Sequence, residues 1–167
     1  MSLADTDNPA LDWVNTLMRL TEPKRGPEWL ITMSQTDLDD LFRRSSIGEI
    51  PDGDALGTAI VAPGTDLELP ILILARWLAW QGKYVYRAQG YLVNKVGPLG
   101  FHLIKARVYR APSWFDNQLA IILDYSQTSL VAHKVRDEIR EVSPGTFLGI
   151  VYYGDQKTIN FVLQFGQ

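Results

Sequence analysis

The apolar positions of this chain follow a helical spacing in the first third and an alternating spacing in the remainder. Asn8 can cap a helix whose first turn holds Pro9, and apolar residues recur three or four positions apart as far as Leu20. This spacing predicts a helix over 9–20. The TEPKRGP stretch that follows contains two prolines and a glycine, so the helix ends before it.

A second helix is predicted over 35–44, in the stretch SQTDLDDLFRR. Ser34 is a suitable N-cap, acidic residues occupy the first turn and arginines occupy the last, and both charge placements favour the helix dipole. Its buried side would consist of Leu38, Leu41 and Phe42. The turn-rich stretch over 45–55 is predicted to be a surface loop.

From Gly57 onward the apolar positions alternate, and short turn sequences separate the alternating runs. The long apolar run Leu69–Trp80 is the exception, and its length and its Leu, Ala, Arg and Trp content predict a helix over 69–80. This helix would pack at one end of the sheet structure. The alternating runs predict strands over 57–62, 83–87, 91–96, 101–110, 118–125, 136–142, 146–153 and 157–165.

The stretch VRDEIREV supports two interpretations. Val135, Ile139 and Val142 recur at helical spacing, but the charged residues also alternate as they would on the two faces of a strand. A strand over 136–142 brings the count to eight, which is a number that closes an antiparallel meander into a barrel. A helix would leave a seven-stranded sheet with exposed edges. We therefore interpret 136–142 as a strand.

The predicted fold is mainly β: an eight-stranded antiparallel barrel over 57–167, preceded by a helical extension over 1–56, in one domain over 1–167. The length of 167 residues is typical of a single domain. Cysteine is absent, which excludes disulfides and thiolate metal sites. The N-terminus lacks the basic and apolar regions of a signal peptide, and no apolar run reaches the roughly 20 residues of a spanning helix. We expect a cytoplasmic protein without stable membrane insertion, and the sequence allows a homodimer.

Charge is distributed unevenly along the chain, whose net charge is −3. Acidic side chains outnumber basic ones by 12 to 5 in residues 1–66, and basic side chains outnumber acidic ones by 11 to 7 in the rest. The basic residues are spread singly along apolar segments, whereas a nucleic-acid module would cluster them beside stacking aromatics. We therefore expect no nucleic-acid partner.

Several segments together resemble small bacterial lipocalin-like (calycin-type) β-barrel proteins. These segments are WQGKYVY, ARVYRAPSWFDNQLAIILDYSQTS, VRDEIREVSPGTFLGIVYY and FVLQF. The resemblance covers about residues 57–167 and lies in strand order and a few turn positions. It implies the barrel fold, and because one fold hosts many functions it implies no particular activity.

Candidate chemistry comes from polar residues within apolar strands, because the chain has no phosphate-binding loop, serine-nucleophile motif or zinc-binding helix motif. The two histidines are too few for a histidine-rich metal site, so we predict no metal and no cofactor. Asp124 is the preferred acid, since burial among apolar neighbours would raise its pKa. The other catalytic candidates are Tyr125, Arg107 and Glu138, although each of these side chains would also suit the solvent face of a strand.

Ligand-binding candidates combine aromatic rings with amides that could face the lumen of the barrel. They are Asn94, Trp77, Trp80, Tyr86, Tyr109, Trp114 and Asn160. The predicted function is binding of a bulky, hydrophobic small molecule in the lumen, with cofactor-independent cyclase or isomerase activity of lipid, polyketide or terpenoid type. The alternatives are a non-catalytic lipid or pigment carrier and a protein-interaction module.

Overall fold

The computed structural model describes residues 28–60, 80–97, 99–130 and 132–166. The described helices are α1 (Glu28–Ile31) and α2 (Gln35–Arg44), and a 3-10 turn covers Arg87–Gln89. The strands are β1 (Gly53–Ile60), β2 (Trp80–Tyr86), β3 (Tyr91–Val96), β4 (Phe101–Pro112), β5 (Leu119–Asp124), β6 (Val135–Ser143), β7 (Thr146–Tyr153) and β8 (Gln156–Phe165).

The eight strands form a closed antiparallel barrel in sequence order, as predicted. Each strand pairs with the next, and β1 pairs with β8 to close the barrel. The stretch that supported two interpretations is a strand: Ile139 of β6 lies opposite Ile121 of β5 on one side and Gly149 of β7 on the other. Gly145 supplies the positive φ of 72° in the tight turn between β6 and β7.

Two strands begin more than two residues before their predicted starts. β1 begins at Gly53, within the predicted loop over 45–55, because Gly53–Leu56 already pairs with β2. Trp80 was predicted as the last residue of a helix and is instead the first residue of β2. The rest of that predicted helix, like the predicted helix over 9–20, lies outside the described residues.

One apolar cluster occupies the barrel lumen. It contains buried side chains from all eight strands, which only the interior of a closed barrel can bring together. Its strand members include Ala55, Trp80, Val85, Leu92, Ala106, Val108, Ile121, Leu123, Ile139, Phe147, Val151, Ile159, Phe161, Leu163 and Phe165. We call this set the lumen core.

A second apolar cluster lies on the outside of the barrel, beneath the helices. The predicted buried side of α2, formed by Leu38, Leu41 and Phe42, packs here with Leu30 of α1. The opposing wall residues come from β1, β5, β7 and β8 and include Ile60, Ala120, Ile122, Leu148, Ile150 and Val162. The prediction of a helix over 35–44 is confirmed, and the Ser34 side chain accepts a hydrogen bond from the Asp37 backbone amide as an N-cap.

Two glycines make room for large rings in the lumen. A Cβ atom on Gly57 would lie 2.3 Å from the Trp80 indole, and one on Gly149 would lie 2.2 Å from the Phe161 ring. The two rings meet edge to face, with centroids 5.6 Å apart. Trp80 and Phe161 therefore lie against bare backbone and form one aromatic wall of the lumen.

Candidate functional site: a lysine cluster in the barrel lumen

A lysine and an aspartate meet inside the barrel. Lys83 of β2 and Asp137 of β6 lie four strands apart in the closed order of eight, on opposite sides of the lumen. Alternation places Lys83 on the same face as Val85, and Asp137 on the same face as Ile139, and both of those apolar residues belong to the lumen core. Lys83 Nζ is 3.0 Å from Asp137 Oδ2, and both side chains are 0% exposed.

Tyr125 joins this ion pair through its hydroxyl group. Lys83 Nζ donates to Tyr125 Oη at 2.7 Å, and the hydroxyl donates to Asp137 Oδ2 at 3.2 Å. Tyr125 follows the last residue of β5 and is buried in the lumen core. The phenol can therefore carry a proton between the lysine and the carboxylate.

Asn94 of β3 completes the group, which we call the lysine cluster: Lys83, Asn94, Tyr125 and Asp137. Asn94 Oδ1 accepts from Lys83 Nζ at 2.8 Å and from Trp80 Nε1 at 3.1 Å. Asn94 Nδ2 donates to Tyr125 Oη at 2.9 Å and to the carbonyl oxygen of Ile104 at 3.0 Å. The amide thus links the four polar side chains to the indole and to the barrel backbone.

Two irregularities in the strand pairing, one in β2 and one in β4, position the Trp80 indole and the Ile104 carbonyl oxygen next to Asn94. In β2 the register shifts between Trp80 and Gly82, where Gly82 has φ of 134°, so alternation is reset and Trp80 faces the lumen. In β4 the register shifts at Ile104, whose φ is 61°, and its carbonyl oxygen meets Asn94. A positive φ is rare for a β-branched residue, which marks this segment as locally strained.

Burial shifts the pKa values of Lys83 and Asp137 towards one another. Desolvation lowers the pKa of Lys83 although the negative charge of Asp137 opposes this effect. Desolvation also raises the pKa of Asp137 against the influence of Lys83, and together with the Asp137 charge it raises the pKa of Tyr125 well above its ordinary value. A proton can consequently move between Lys83 and Asp137 at a smaller free-energy cost than in water.

One carboxylate oxygen of the cluster is unpaired within the described part of the chain. Asp137 Oδ1 is buried and has no hydrogen-bond partner there, whereas Oδ2 receives two. An unsatisfied buried acceptor carries a desolvation cost, so it marks a position where a ligand donor or a transferred proton would be stabilised. Lys83 Nζ also lies 5.1–5.4 Å from the ring centroids of Trp80, Tyr125 and Phe161.

Three of the residues chosen from the sequence lie together at this site: Asn94, Tyr125 and Trp80. The other catalytic candidates lie on the outer face of the barrel and not in the lumen. Arg107 is exposed between the lumen residues Ala106 and Val108. Among the ligand-binding candidates, Tyr86, Tyr109, Trp114 and Asn160 also lie outside the lumen, and Trp77 lies outside the described residues.

Asp124 does not have the environment that was expected for it. It lies on the face of β5 opposite to Leu123 and Tyr125. Partial burial acts to raise its pKa, but hydrogen bonds from Ser126 and Tyr109 and the charge of Arg107 outweigh that effect, so the pKa lies below its ordinary value. Asp124 is therefore a poor proton donor at neutral pH. With Trp114 and Arg136 it lines an outer cleft with a volume of about 260 Å³.

Glu138 is buried, but on the outer wall. Its carboxylate accepts hydrogen bonds from the Ser113 hydroxyl, from the Trp114 backbone amide at 2.8 Å and from Arg136 Nε at 3.2 Å. It thereby holds the turn between β4 and β5. Asn160 has a similar structural position, because its Oδ1 accepts from Gln35 Nε2 of α2 at 2.9 Å.

Lys83 and Asp137 were not among the site residues predicted from the sequence. The sequence does contain an indication of both, because residues two positions apart in a strand lie on the same face. Lys83 shares its face with the apolar Val85, and Asp137 shares its face with the apolar Ile139. Charged residues on an otherwise apolar face indicate a buried pair when two such strands face each other across a barrel. Elsewhere in the described ranges, no three metal-ligating side chains come together and no helix is long and apolar enough to cross a membrane.

Comparison with known proteins supports the class of fold. No family model matches the chain, and no curated protein matches it. A solved structure of a protein from Thermomonospora curvata superposes with a TM-score of 0.57 at 16% sequence identity, and the match covers 81% of this chain and 90% of the other. At this identity the likeness concerns the fold alone. The protein is a closed eight-stranded antiparallel barrel with a buried lysine cluster in its lumen.

Proposed function

We propose that this protein is a lipocalin-like barrel that binds a bulky, mostly apolar small molecule in its lumen and transforms it by proton transfer. The proposed activity is that of a cofactor-independent cyclase or isomerase acting in lipid, polyketide or terpenoid type metabolism in the cytoplasm. The observation that carries this proposal is the Lys83–Asp137 pair, which has no exposure and lies within an apolar lumen.

Stability alone is a weak reason to keep such a pair. Removing two charges from water costs several kcal/mol for each ion, and well-packed apolar residues of similar volume are often as good or better. Titratable groups with strongly shifted pKa values are frequent in active sites, where their protonation must change during reaction. The unpaired Asp137 Oδ1 adds a position at which a substrate group could be bound.

Each member of the cluster has a role in the proposed reaction. Asp137 accepts a proton from the substrate and returns it, because its pKa is raised towards the range useful for general acid–base catalysis. Lys83, Tyr125 and Asn94 provide hydrogen-bond donors for a developing negative charge on a substrate oxygen. The rings of Trp80 and Phe161 would contact the apolar body and restrict its conformation. These side chains supply the proton transfer, so the proposal requires no metal or organic cofactor.

A non-catalytic lipid or pigment carrier is the second candidate. The observation that favours it is the apolar character of the lumen core beyond the lysine cluster. In a carrier, the cluster would bind the polar end of the ligand without moving a proton.

Deuterium exchange into a carbonyl probe tests the catalytic proposal without knowledge of the natural substrate. The probe is 2-decalone, a bulky apolar ketone, and mass spectrometry follows deuterium uptake at the carbons beside its carbonyl group in D₂O. We expect the wild-type protein to accelerate uptake over buffer. Asp137→Asn should reduce the protein-dependent rate about 100-fold or more, as expected for loss of a general base.

Lys95→Met is the matched control. Lys95 is also largely buried and paired with a carboxylate, at 2.6 Å from Asp54, but it alternates with Asn94 and so lies on the outer face. This variant should retain the wild-type rate. Equal rates for wild type and Asp137→Asn would contradict the catalytic proposal. Probe binding without any exchange would favour the carrier.

A further inference from the structure

We infer that Lys83 is a covalent nucleophile whose Nζ forms an imine with the carbonyl carbon of a bulky, apolar aldehyde or ketone bound in the lumen. This inference rests on the proposed function for the binding of such a ligand. It goes further by naming the substrate class and by assigning Lys83 a covalent role.

The geometry gives Lys83 the surroundings that an amine nucleophile requires. Its Nζ is held at 3.0 Å from a carboxylate that can take its proton, and at 2.7 Å from a phenol. Its side chain is 0% exposed, so water does not solvate the amine. Desolvation in an apolar pocket is a general way of activating a lysine. Desolvation does lower the pKa of this lysine, which increases the fraction of neutral amine.

The proposed step balances without an oxidant or reductant. Asp137 first takes a proton from the Lys83 ammonium group, and the Nζ lone pair then adds to the carbonyl carbon while a nitrogen-bound proton passes to the carbonyl oxygen. The resulting carbinolamine loses its hydroxyl group as water, using the proton held by Asp137. The products are a protonated imine, one water molecule and the Asp137 carboxylate. The imine then acidifies the neighbouring C–H bond, which Asp137 can deprotonate.

Access to Nζ requires the aromatic wall to move. The Trp80 indole lies over Gly57, donates to Asn94 and has its ring centroid 5.1 Å from Lys83 Nζ. Rotation of this ring would uncover Nζ on the side that the indole now covers. The rings of Tyr125 and Phe161 also lie near Nζ, with centroids at 5.4 and 5.3 Å.

Reductive trapping tests the inference. The full-length protein is incubated with trans-cinnamaldehyde and sodium cyanoborohydride, digested, and mapped by mass spectrometry, with propanal as a smaller probe. We expect one adduct per chain at Lys83 at a probe concentration near that of the protein. The exposed Lys105 and Lys134 should be labelled only at concentrations at least tenfold higher. As pH rises, Lys83 labelling should reach its plateau at a lower pH than labelling of these exposed lysines.

Two substitutions at the lysine and one control complete the experiment. Lys83→Arg retains the positive charge but cannot be trapped, and Lys83→Met removes the nitrogen, so both should lose the stoichiometric adduct. If Lys83→Met fails to fold, as judged by circular dichroism, Lys83→Arg still tests the inference. Lys95→Met should keep the Lys83 adduct unchanged. Labelling confined to exposed lysines with both probes, in a folded wild-type protein, would overturn the inference.

The outcomes also separate this inference from the proposed function. Deuterium exchange into 2-decalone without a Lys83 adduct would support general-base catalysis and reject the imine. A Lys83 adduct without exchange would support the nucleophile and reject Asp137 as the base. Absence of both the adduct and the exchange would reject both.

Discussion

At the scale of single residues, the face of the strand decides what a buried charge can do. Asp137 and Glu138 are neighbours in β6 and both are 0% exposed, yet they lie on opposite faces. Glu138 is satisfied by the turn between β4 and β5, including the Trp114 backbone amide. Asp137 faces the lumen, where its Oδ1 has no partner among the described residues. Only the lumen carboxylate is available for chemistry.

The free energies of unfolding of single and double variants should show that Lys83 and Asp137 neutralise each other in the lumen. Lys83→Met leaves the Asp137 carboxylate buried without its cation and should lower the free energy of unfolding by about 3–5 kcal/mol at pH 7. The double variant Lys83→Met/Asp137→Leu removes both charges and should recover most of that loss, or exceed the wild type. Urea unfolding measures both values. An equal loss in the single and double variants would contradict the burial of the pair.

Asn94, Tyr125 and Trp80 were predicted as site residues from the sequence. The ion pair was not, although Lys83 shares its strand face with Val85 and Asp137 shares its face with Ile139. Alternation identifies the inner face only when the outer face is polar. Here the outer face of β5 is also apolar, because Ala120 and Ile122 pack beneath α2. Because both faces of β5 are apolar, the sequence alone suggested that Asp124 faces the lumen. It lies on the same face of β5 as Ala120 and Ile122, which is the outer face.

At the scale of secondary structure elements, Arg140 joins three segments of the outer wall. Its guanidinium group donates to the carbonyl oxygen of Phe42 in α2 at 2.9 Å, and to both carboxylate oxygens of Asp116 in the turn between β4 and β5, at 2.6 and 2.7 Å. Its side chain is 1% exposed. A bidentate arginine–carboxylate pair of this kind fixes orientation as well as distance. The helix is therefore docked by apolar packing and by hydrogen bonds that include the one from Arg140 to the Phe42 carbonyl oxygen.

This pair should make stability depend on pH. The hydrogen bond from Arg140 holds the pKa of Asp116 below its ordinary value of 3.8. The corresponding stability is fully present above pH 3.8 and is lost as pH falls through the lowered folded-state pKa. Asp116→Asn should therefore be less stable at neutral pH and should lose less stability than wild type between about pH 4 and pH 2.

Urea unfolding midpoints across this pH range measure the effect. The control is Asp40→Asn, because the pair between Asp40 and Arg43 is solvent-exposed and contributes little. Its pH dependence should follow that of the wild type. If the urea midpoint of Asp116→Asn depended on pH as strongly as that of the wild type, Arg140 would not be lowering the pKa of Asp116.

The elements themselves were largely predictable from local patterns. The helix over 35–44 has a cap, complementary charges and an apolar side, and turn residues separate the strands from β3 to β8. Trp80 was misassigned because a β-bulge near Gly82 interrupts alternation. A bulge depends on pairing with a distant neighbour, so the local pattern does not reveal it.

At the scale of the whole molecule, closure of the barrel requires small residues where large rings cross the lumen. Gly149 of β7 pairs directly with Phe161 of β8, and the ring occupies the space that a Cβ atom on the glycine would take. The Trp80 indole likewise occupies the space that a Cβ atom on Gly57 would take. Because glycine has no side chain, an aromatic ring on a neighbouring strand can pack directly against its backbone.

Gly149→Ala should therefore destabilise the barrel by about 1–3 kcal/mol, because the new methyl group would collide with the Phe161 ring. The double variant Gly149→Ala/Phe161→Leu replaces the ring with a smaller side chain and should recover part of the loss. Denaturant unfolding monitored by circular dichroism measures both. A Gly149→Ala protein as stable as wild type, or a double variant that simply adds two losses, would show that the ring does not lie over this glycine.

The closed barrel was predictable at this scale because eight strands in sequence order have few alternative arrangements. The content of the lumen was not, since it depends on which strands face each other across the barrel. Function must be argued from the lysine cluster.

The most direct test of the central claim compares deuterium exchange into 2-decalone by the wild type and by Lys83→Met/Asp137→Leu. This double variant separates chemistry from stability, because it should keep the barrel folded while it removes both ionisable partners of the lumen pair. The account predicts a folded double variant whose exchange rate equals that of buffer, beside a wild type that accelerates exchange. A folded double variant with the wild-type rate would contradict it.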